Sequence, residues 1–519
     1  MATHGRFLGI GALVACAAAL WIPAPAAAAL IQVTDTADDL VSAADDGDCA
    51  LREAIEAANR NAAVDGCTAG EAEPAADTLE LANGATYTLT GASSDDANES
   101  GDLDVSTAPD SGPLTISGGN ESVIDAGGID RAIDLRGSLS LEGVTITNGI
   151  SPGWGGGIHN VGGALSLSHS RISGNAALLG AGIGNEGGTL NVTASVVVDN
   201  QAGTNQEEHV AGGGILNQGV AIIDGSVIAS NHAQGLRQLL AAGAGIANLS
   251  GASLTVTDST VAGNAMSGGM QFGAGVYHEG GGSNLGIRNS TISGNVAPAI
   301  GADGGGLALF GGDVSLNHVT IAGNFAEDQG SAMKNFGGEA VSLRASVIDD
   351  GANGCQGPIS SAGFNVDAGA TCASAANSTD LQNVATGLDL HLVNNGGPQA
   401  GPPGSSEIPQ THALFDTSPA VDRVPAGQCF DVGAALLTAD QRGEPRPLGP
   451  AGCDSGAYEL DVPIPVTSGG TTTPGFVPQQ QQQLRKKCKK KRKKKRKRAT
   501  SKRKRKRAAA KWRRCKRRR

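Results

Sequence analysis

Aromatic side chains are scarce in this sequence: 3 Trp, 3 Tyr and 9 Phe among 519 residues. So few large rings leave little surface on which sugar rings could stack. No CxxC pair and no cluster of histidines occurs, which argues against a zinc site. His159, His169 and His318 stand singly and call for no metal. Positive charge is equally thin outside one block. Residues 485–519 hold 26 Lys or Arg and no acid, so the rest of the chain has 13 basic residues against 50 acidic ones. The net charge of −11 therefore conceals a body near −37 joined to a strongly cationic end.

Glycine, by contrast, is abundant and ordered. Between Gly155 and about Asn353 a pattern recurs: Gly-x-Gly-Ile-x-Asn, a glycine, an alternating apolar run, then Ser-x-Ile-x-x-Asn. Copies open at Gly155, Gly180, Gly212, Gly243, Gly273, Gly304 and Gly330. Each holds three short runs in which apolar residues alternate with small or polar ones, the period of a strand with one buried face. Glycines break every run, so no helix fits. A unit this short buries no core alone, but stacked units do.

Alignment of the copies gives three inward columns. The first is Ile158, Ile183, Ile215, Ile246, Val276, Leu307 and Met333. The second contains Leu167, Val192, Val256, Ile287, Leu316 and Leu343, and the third Ile172, Val197, Ile228, Val261, Ile292, Ile321 and Ile348. Two asparagine columns mark corners: Asn160, Asn185, Asn217, Asn248 and Asn335, then Asn175, Asn200, Asn231, Asn264, Asn295 and Asn324. Asparagine in a bend satisfies backbone groups, tolerates a left-handed conformation and bonds to a stacked copy of itself. Three strands and three corners per coil predict an all-β, right-handed parallel β-helix of about ten coils.

Copy length barely varies from first glycine to last asparagine, whereas the gap to the next copy runs from four to eleven residues. Length variation thus sits at one corner, the place where repeat proteins put binding loops. The longest corner segments are 201–211 and 232–242. Neutral drift at a tolerant corner explains the variation as well.

Residues 1–29 read as a secretory signal, with Arg6, an apolar run from Phe7 to Trp21 and a small-residue end at Ala27-Ala-Ala29. Leu13-Val-Ala-Cys16 is similar to a lipobox, but the apolar stretch continues beyond Cys16. An exported chain with eight further cysteines predicts disulfides. Neighbours in sequence suggest Cys49–Cys67, Cys355–Cys372, Cys429–Cys453 and also Cys488–Cys515. Residues 30–100 form an N-terminal cap. In it Leu51, Ile55 and Ala58 share one helical face, with Asp48 expected to cap the start. The array proper spans 101–354, its first coils less regular. Residues 355–462 close it, and a Thr/Gly/Pro/Gln linker at 463–484 leads to the 485–519 tail, both of a composition that stays disordered.

Cys49-Ala-Leu-Arg-Glu-Ala54 resembles the Cys-Ser-Leu-Arg-Glu-Ala motif of a family of exported bacterial β-helix proteins, with Ala50 in place of the serine. The glycine-rich repeats resemble those of polymorphic outer-membrane proteins and of the pectin-lyase-like superfamily. Gln410-Thr-His-Ala-Leu414, Ser418-Pro-Ala-Val-Asp422, Asp440-Gln-Arg-Gly443, Arg446-Pro447 and Cys453-Asp-Ser-Gly-Ala-Tyr-Glu459 resemble the choice-of-anchor Q domain, met before surface anchors of several kinds. Between Pro398 and Gln410 the chain carries residues that this family usually lacks. The resemblance implies that the 485–519 tail occupies the anchor's place, holding the protein to an anionic cell-wall polymer or membrane surface. Extracellular nucleic acid is a weaker candidate partner.

The expected function is a secreted, surface-attached, non-catalytic module that is structural, adhesive or ligand-binding, with an unknown protein or glycan at the corner loops. The alternative is a polysaccharide lyase or glycoside hydrolase. Such chemistry needs convergent carboxylates or a base beside calcium. The outward column reads His159, Gly184, Leu216, Ala247, Tyr277, Ala308 and Lys334, with no carboxylate row. Asp102 and Asp104 have the chemistry to bind calcium, but solvation at the surface is the expected role. Turn structure accounts for Asp349 and Asp350. No catalytic residue, cofactor or metal ligand is assigned.

Overall fold

A computed structural model describes residues 28–39, 46–71, 75–91, 98–106, 112–203, 209–236, 239–339, 341–372, 377–430, 435–446 and 452–460. Most of the expected signal segment with Cys16, the expected linker, the basic tail and the expected Cys488–Cys515 pairing lie outside these residues.

The chain winds into a right-handed parallel β-helix. Its first ladder has ten strands, from Leu103–Val105 to Cys355–Gln356. Pairing in this ladder follows the repeat without slippage. Ile158, Ile183, Ile215, Ile246, Val276, Leu307 and Met333 are in register, and Leu103 and Ile133 extend the column upstream. Ile223, passed over in the repeat alignment, completes the second column between Val192 and Val256. The third column stacks from Ile172 to Ile348. These side chains are buried and belong to one apolar core. At roughly 1.5–3 kcal/mol for each fully buried aliphatic side chain, the columns supply the main drive for coiling.

The opening glycine of each copy has a stereochemical cause. Gly155, Gly180, Gly212, Gly243, Gly273, Gly304 and Gly330 all have φ between 56° and 67°. A Cβ there would also meet a backbone carbonyl oxygen, at 2.4 Å for Gly155 and 2.2 Å for Gly243. Only glycine meets both demands.

The corners are held by polar ladders. Each asparagine of the second set donates its side-chain Nδ2 to the Oδ1 of the next, Asn175 to Asn200 at 3.0 Å and so on to Asn324. The last rung is an aspartate: Asn324 donates its backbone N and its Nδ2 to the Asp350 carboxylate at 2.7 and 3.0 Å. In the first set, Asn160, Asn185, Asn217 and Asn248 link at 2.7 Å. His278 then takes the place where the repeat has no asparagine, its Nδ1 3.0 Å from the Asn248 amide. Burial holds His278 down to about 4, so it is neutral and Nδ1 accepts. The serine of Ser-x-Ile is a third ladder, in which Ser170, Ser195, Ser226 and Ser259 each give a backbone N–H to the next hydroxyl.

The variable corner is more structured than three strands per coil allows. Two further short ladders form there. One runs through Ala176–Ala177, Gln201–Ala202, His232–Gln234, Ala265–Ser267, Val296–Ala297 and Phe325–Ala326, the other through Val210–Ala211, Leu240–Ala242 and Met270–Phe272. Both parts of the 201–211 and 232–242 segments that pair are thus strands.

The N-terminal helix is Leu51–Arg60. Its start differs from expectation. Ala50 is the N-cap rather than Asp48, and Glu53 reaches back to accept the Ala50 N–H at 3.1 Å. Arg52 is fully buried. Its guanidinium donates to both oxygens of Asp38, at 2.9 and 3.1 Å, and to the carbonyls of Asp102 and Gly101, at 2.7 and 2.8 Å. Disulfides join Cys49 to Cys67, Cys355 to Cys372 and Cys429 to Cys453.

After the last coil the chain turns back as a strap along the outside of the third ladder. Asn317 and Arg344 donate to the Phe430 carbonyl. Thr291 donates to Gln441 Oε1 at 2.6 Å, and Gln441 Nε2 donates to Thr260 at 2.8 Å. Thr260 also reaches the Gln410 carbonyl, and Arg171 pairs with Glu407. Arg446, fully buried, donates to Glu459, to the Asp454 and Gly456 carbonyls and to Asn289.

Two outcomes follow. Arg52→Ala leaves the Asp38 carboxylate buried without its cation, so equilibrium unfolding should show a loss of roughly 3–5 kcal/mol. Burial pushes the Asp350 carboxyl up to about 7. The folded chain then holds a proton that the unfolded chain has released above pH 3.8, so this contribution is full below that value and fades as pH rises to about 7. Asp350→Asn, which keeps the ladder, should raise stability at pH 8 by roughly 1–3 kcal/mol and change little at pH 4. Urea unfolding at both values checks it, and an equal effect at both would contradict the assignment.

Candidate functional site

The outward face of the first ladder carries polar groups at one end and aromatic rings towards the other. Its column is longer than the repeat revealed. Asp104 pairs in register with Asp134, and Asp134 with His159. The column then runs through Gly184, Leu216, Ala247, Tyr277, Ala308, Lys334 and Gln356. Asp104 and Asp134 fall outside the repeat column because the first coils lack the Gly-x-Gly opening that aligns the others. An apolar residue on each side of an acid, as in Leu103-Asp-Val105 and Ile133-Asp-Leu135, was the available signal.

At this end the charges interlock. Arg131 pairs with Asp102 and with Asp134, each at 3.2 Å, and Arg136 with Asp134 at 3.4 Å. Arg131 Nη1 donates to His159 Nδ1 at 2.8 Å, which leaves His159 Nε2–H to donate to Glu186 at 3.0 Å. Burial lowers the His159 pKa, consistent with a neutral ring. Asp104 accepts the Asn98 backbone N–H at 2.8 Å. Asp102, Asp104 and Asp134 are only 4 %, 6 % and 3 % exposed. The expectation that Asp102 and Asp104 are solvated at the surface is therefore corrected. Coil pairing and the capping helix enclose them. Burial first, then Asp104 and Asp130, push the Asp102 carboxyl up to about 8.

Further along, the column turns apolar. Leu216, Ala247, Tyr277 and Ala308 form a small outer core with Ala211 and Ala242 of the second corner ladder, covered by Trp154, Leu179, Leu240, Leu249, Phe272 and Phe310. Phe310 and Phe336 stack at 4.4 Å with planes 10° apart. Phe272 meets both edge-on, at 5.5 and 5.6 Å, and Lys334 Nζ lies 5.2 Å from the Phe336 centroid. Phe336 is 39 % exposed and Met270 lies open at the rim. Aromatics are few, as the composition says, yet four of the fifteen gather here. Folding concentrates what the sequence disperses over 65 residues.

A second concavity lies between the strap and the third ladder, a cleft of about 640 Å³ lined in part by Ser230, Ser293, Asp349, Gln410 and His412. Ser293 Oγ donates to His412 Nε2 at 2.8 Å, and His412 Nδ1–H to the Asp389 carbonyl at 2.8 Å. Burial keeps this histidine's pKa low. Asp349 accepts from Thr386. Both contacts fasten the strap to the coils. His169 and His318 sit at equivalent corners with positive φ, and His318 is buried beside Asn317 and Cys453. Among the described residues, no helix is long and apolar enough to cross a membrane.

No family model matches the chain, and no curated protein is significantly similar to it. Among solved structures, pectate lyase Pel9A aligns with a TM-score of 0.46 at 14 % identity, over 82 % of this chain and 96 % of that one. That likeness carries no argument about chemistry.

The two stacked rings differ in burial, which separates their roles. Phe310→Ala should cost roughly 2–3 kcal/mol through the cavity it leaves. Phe336→Ala should cost under about 1 kcal/mol, because that ring is largely at the surface. Denaturant unfolding of both variants checks the difference.

Proposed function

We propose that this chain is a secreted β-helix, held at the cell surface by its 485–519 tail, that serves as a non-catalytic ligand-binding or adhesive module. The observation that carries this reading is the half-exposed aromatic patch of Phe272, Phe310, Phe336 and Met270 beside the variable corner. Stacked rings with a lysine at the edge suit a ligand that combines apolar and anionic surface, such as an acidic glycan or peptide. The disulfides are compatible with an oxidising, extracellular setting.

The motifs resembling exported surface proteins support the same reading. Their charged residues are engaged in folding: Arg52 and Glu53 bind the helix to the first coils, and Arg446 and Glu459 pin the strap. The module reading gives these residues a structural task and gives attachment to the tail. The tail's 26 cationic residues would bind an anionic wall polymer or membrane through charge alone.

Binding of full-length and 485–519-deleted protein to isolated cell envelopes tests the attachment. Full-length protein should bind at low salt and be released near 1 M salt, where screening acts within about 3 Å. The deleted form should not bind. Equal retention of both forms would end the anchor reading. Incubation with pectic and bacterial polysaccharides addresses the enzyme alternative, and release of unsaturated products by the full chain would replace the module with a lyase.

A further inference from the structure

The first coil of a β-helix is its weakest, since it has a neighbour on one side only. The buried acidic cluster lies at that end. Asp102 and Asp104 flank Leu103 on the first rung of the first ladder, and Asp134 sits on the second rung. One carboxylate oxygen from each lies within 4.8 Å of the others. Two observations separate this group from an ordinary acidic patch. All three side chains are more than nine-tenths buried. Among the described residues the buried Oδ1 atoms of Asp102 and Asp134 have no hydrogen-bond partner, while their Oδ2 atoms face Arg131. Buried oxygens left in this way demand a partner.

We propose that Asp102, Asp104 and Asp134 bind one calcium ion that clamps the first two coils beneath the capping helix. The donors are all oxygen, which suits a hard cation. Calcium–oxygen distances of about 2.3–2.6 Å allow ligands on opposite sides to lie up to about 5 Å apart, so the cluster spans an ion without rearranging. Magnesium keeps several waters, for which an enclosed site has little room. Structural zinc sites are built from Cys and His, and both ring nitrogens of the adjacent His159 are engaged. The capping helix grips the same segment from its other side, through Arg52 on the Asp102 carbonyl and Asn59 on the Asp104 carbonyl. The ion would join what the helix covers, so the cap would be fully secured only in a calcium-containing medium.

The test uses the full-length protein, freed of metal by chelation. Thermal unfolding and titration calorimetry are followed with calcium and, separately, magnesium up to about 5 mM, the range of extracellular calcium modules. Calcium should raise the midpoint by several degrees and give a one-site isotherm. Magnesium at the same concentration should do neither. Asp102→Asn and Asp134→Asn, checked for an unchanged near-ultraviolet spectrum, should weaken calcium at least tenfold. Asp199→Asn, at an exposed aspartate elsewhere, should not. Absence of calcium binding by the folded full-length protein would overturn the proposal even where a variant fails to fold. So would equal responses to magnesium, or full retention of binding in both asparagine variants.

Discussion

A parallel coil brings every corner residue directly above its counterpart, and polar groups buried at a corner must find their partners along that stack. The asparagine and serine ladders meet this constraint. Each rung gives a side-chain or backbone N–H to the rung beyond, so a corner in mid-array is satisfied by its neighbours. Apolar columns drive the coiling, but these ladders set the register, since a slip of one residue would strand every amide. They also require the coil path to be regular, which explains why length variation is confined to the corner where no continuous ladder of amides runs.

The ends then become the problem, because the first and last rungs lack a neighbour. Asp350 closes one asparagine ladder and His278 prolongs the other. At the N-terminal end the Leu51–Arg60 helix covers the first coil and inserts Arg52 into its carbonyls. At the other end the chain does not stop as a cap. It doubles back as a strap whose Thr, Ser and Gln contacts repeat along the third ladder, with Arg446 buried at its centre. Arg52, Glu53, Arg446 and Glu459 are therefore fasteners, buried where the helix and the strap meet the coils.

The proposed ligand-binding surface lies on one flank. The outward face of the first ladder changes along its length from interlocked charge to a small outer core and then to half-exposed rings. The short corner ladders build the wall that shelters this core. Variable length and sheltered aromatic surface thus occur together, which is the arrangement expected of a scaffold that changes its loops to change its ligand.

Much of this was legible in the sequence. Period-two alternation, glycines at a constant phase and asparagines at a constant interval determine a parallel β-helix, because each is a local consequence of strand and turn stereochemistry. The columns Ile158 to Met333 and Ile172 to Ile348 could be read as they stand. The Asp104–Asp134–His159 register could not, because the first coils lack the glycine signature that made alignment feasible. Nor could the burial of Asp102, the gathering of Phe272, Phe310 and Phe336, or the return path of the strap. Those depend on contacts between residues tens to hundreds of positions apart, and only the stacked coils decide which of them meet.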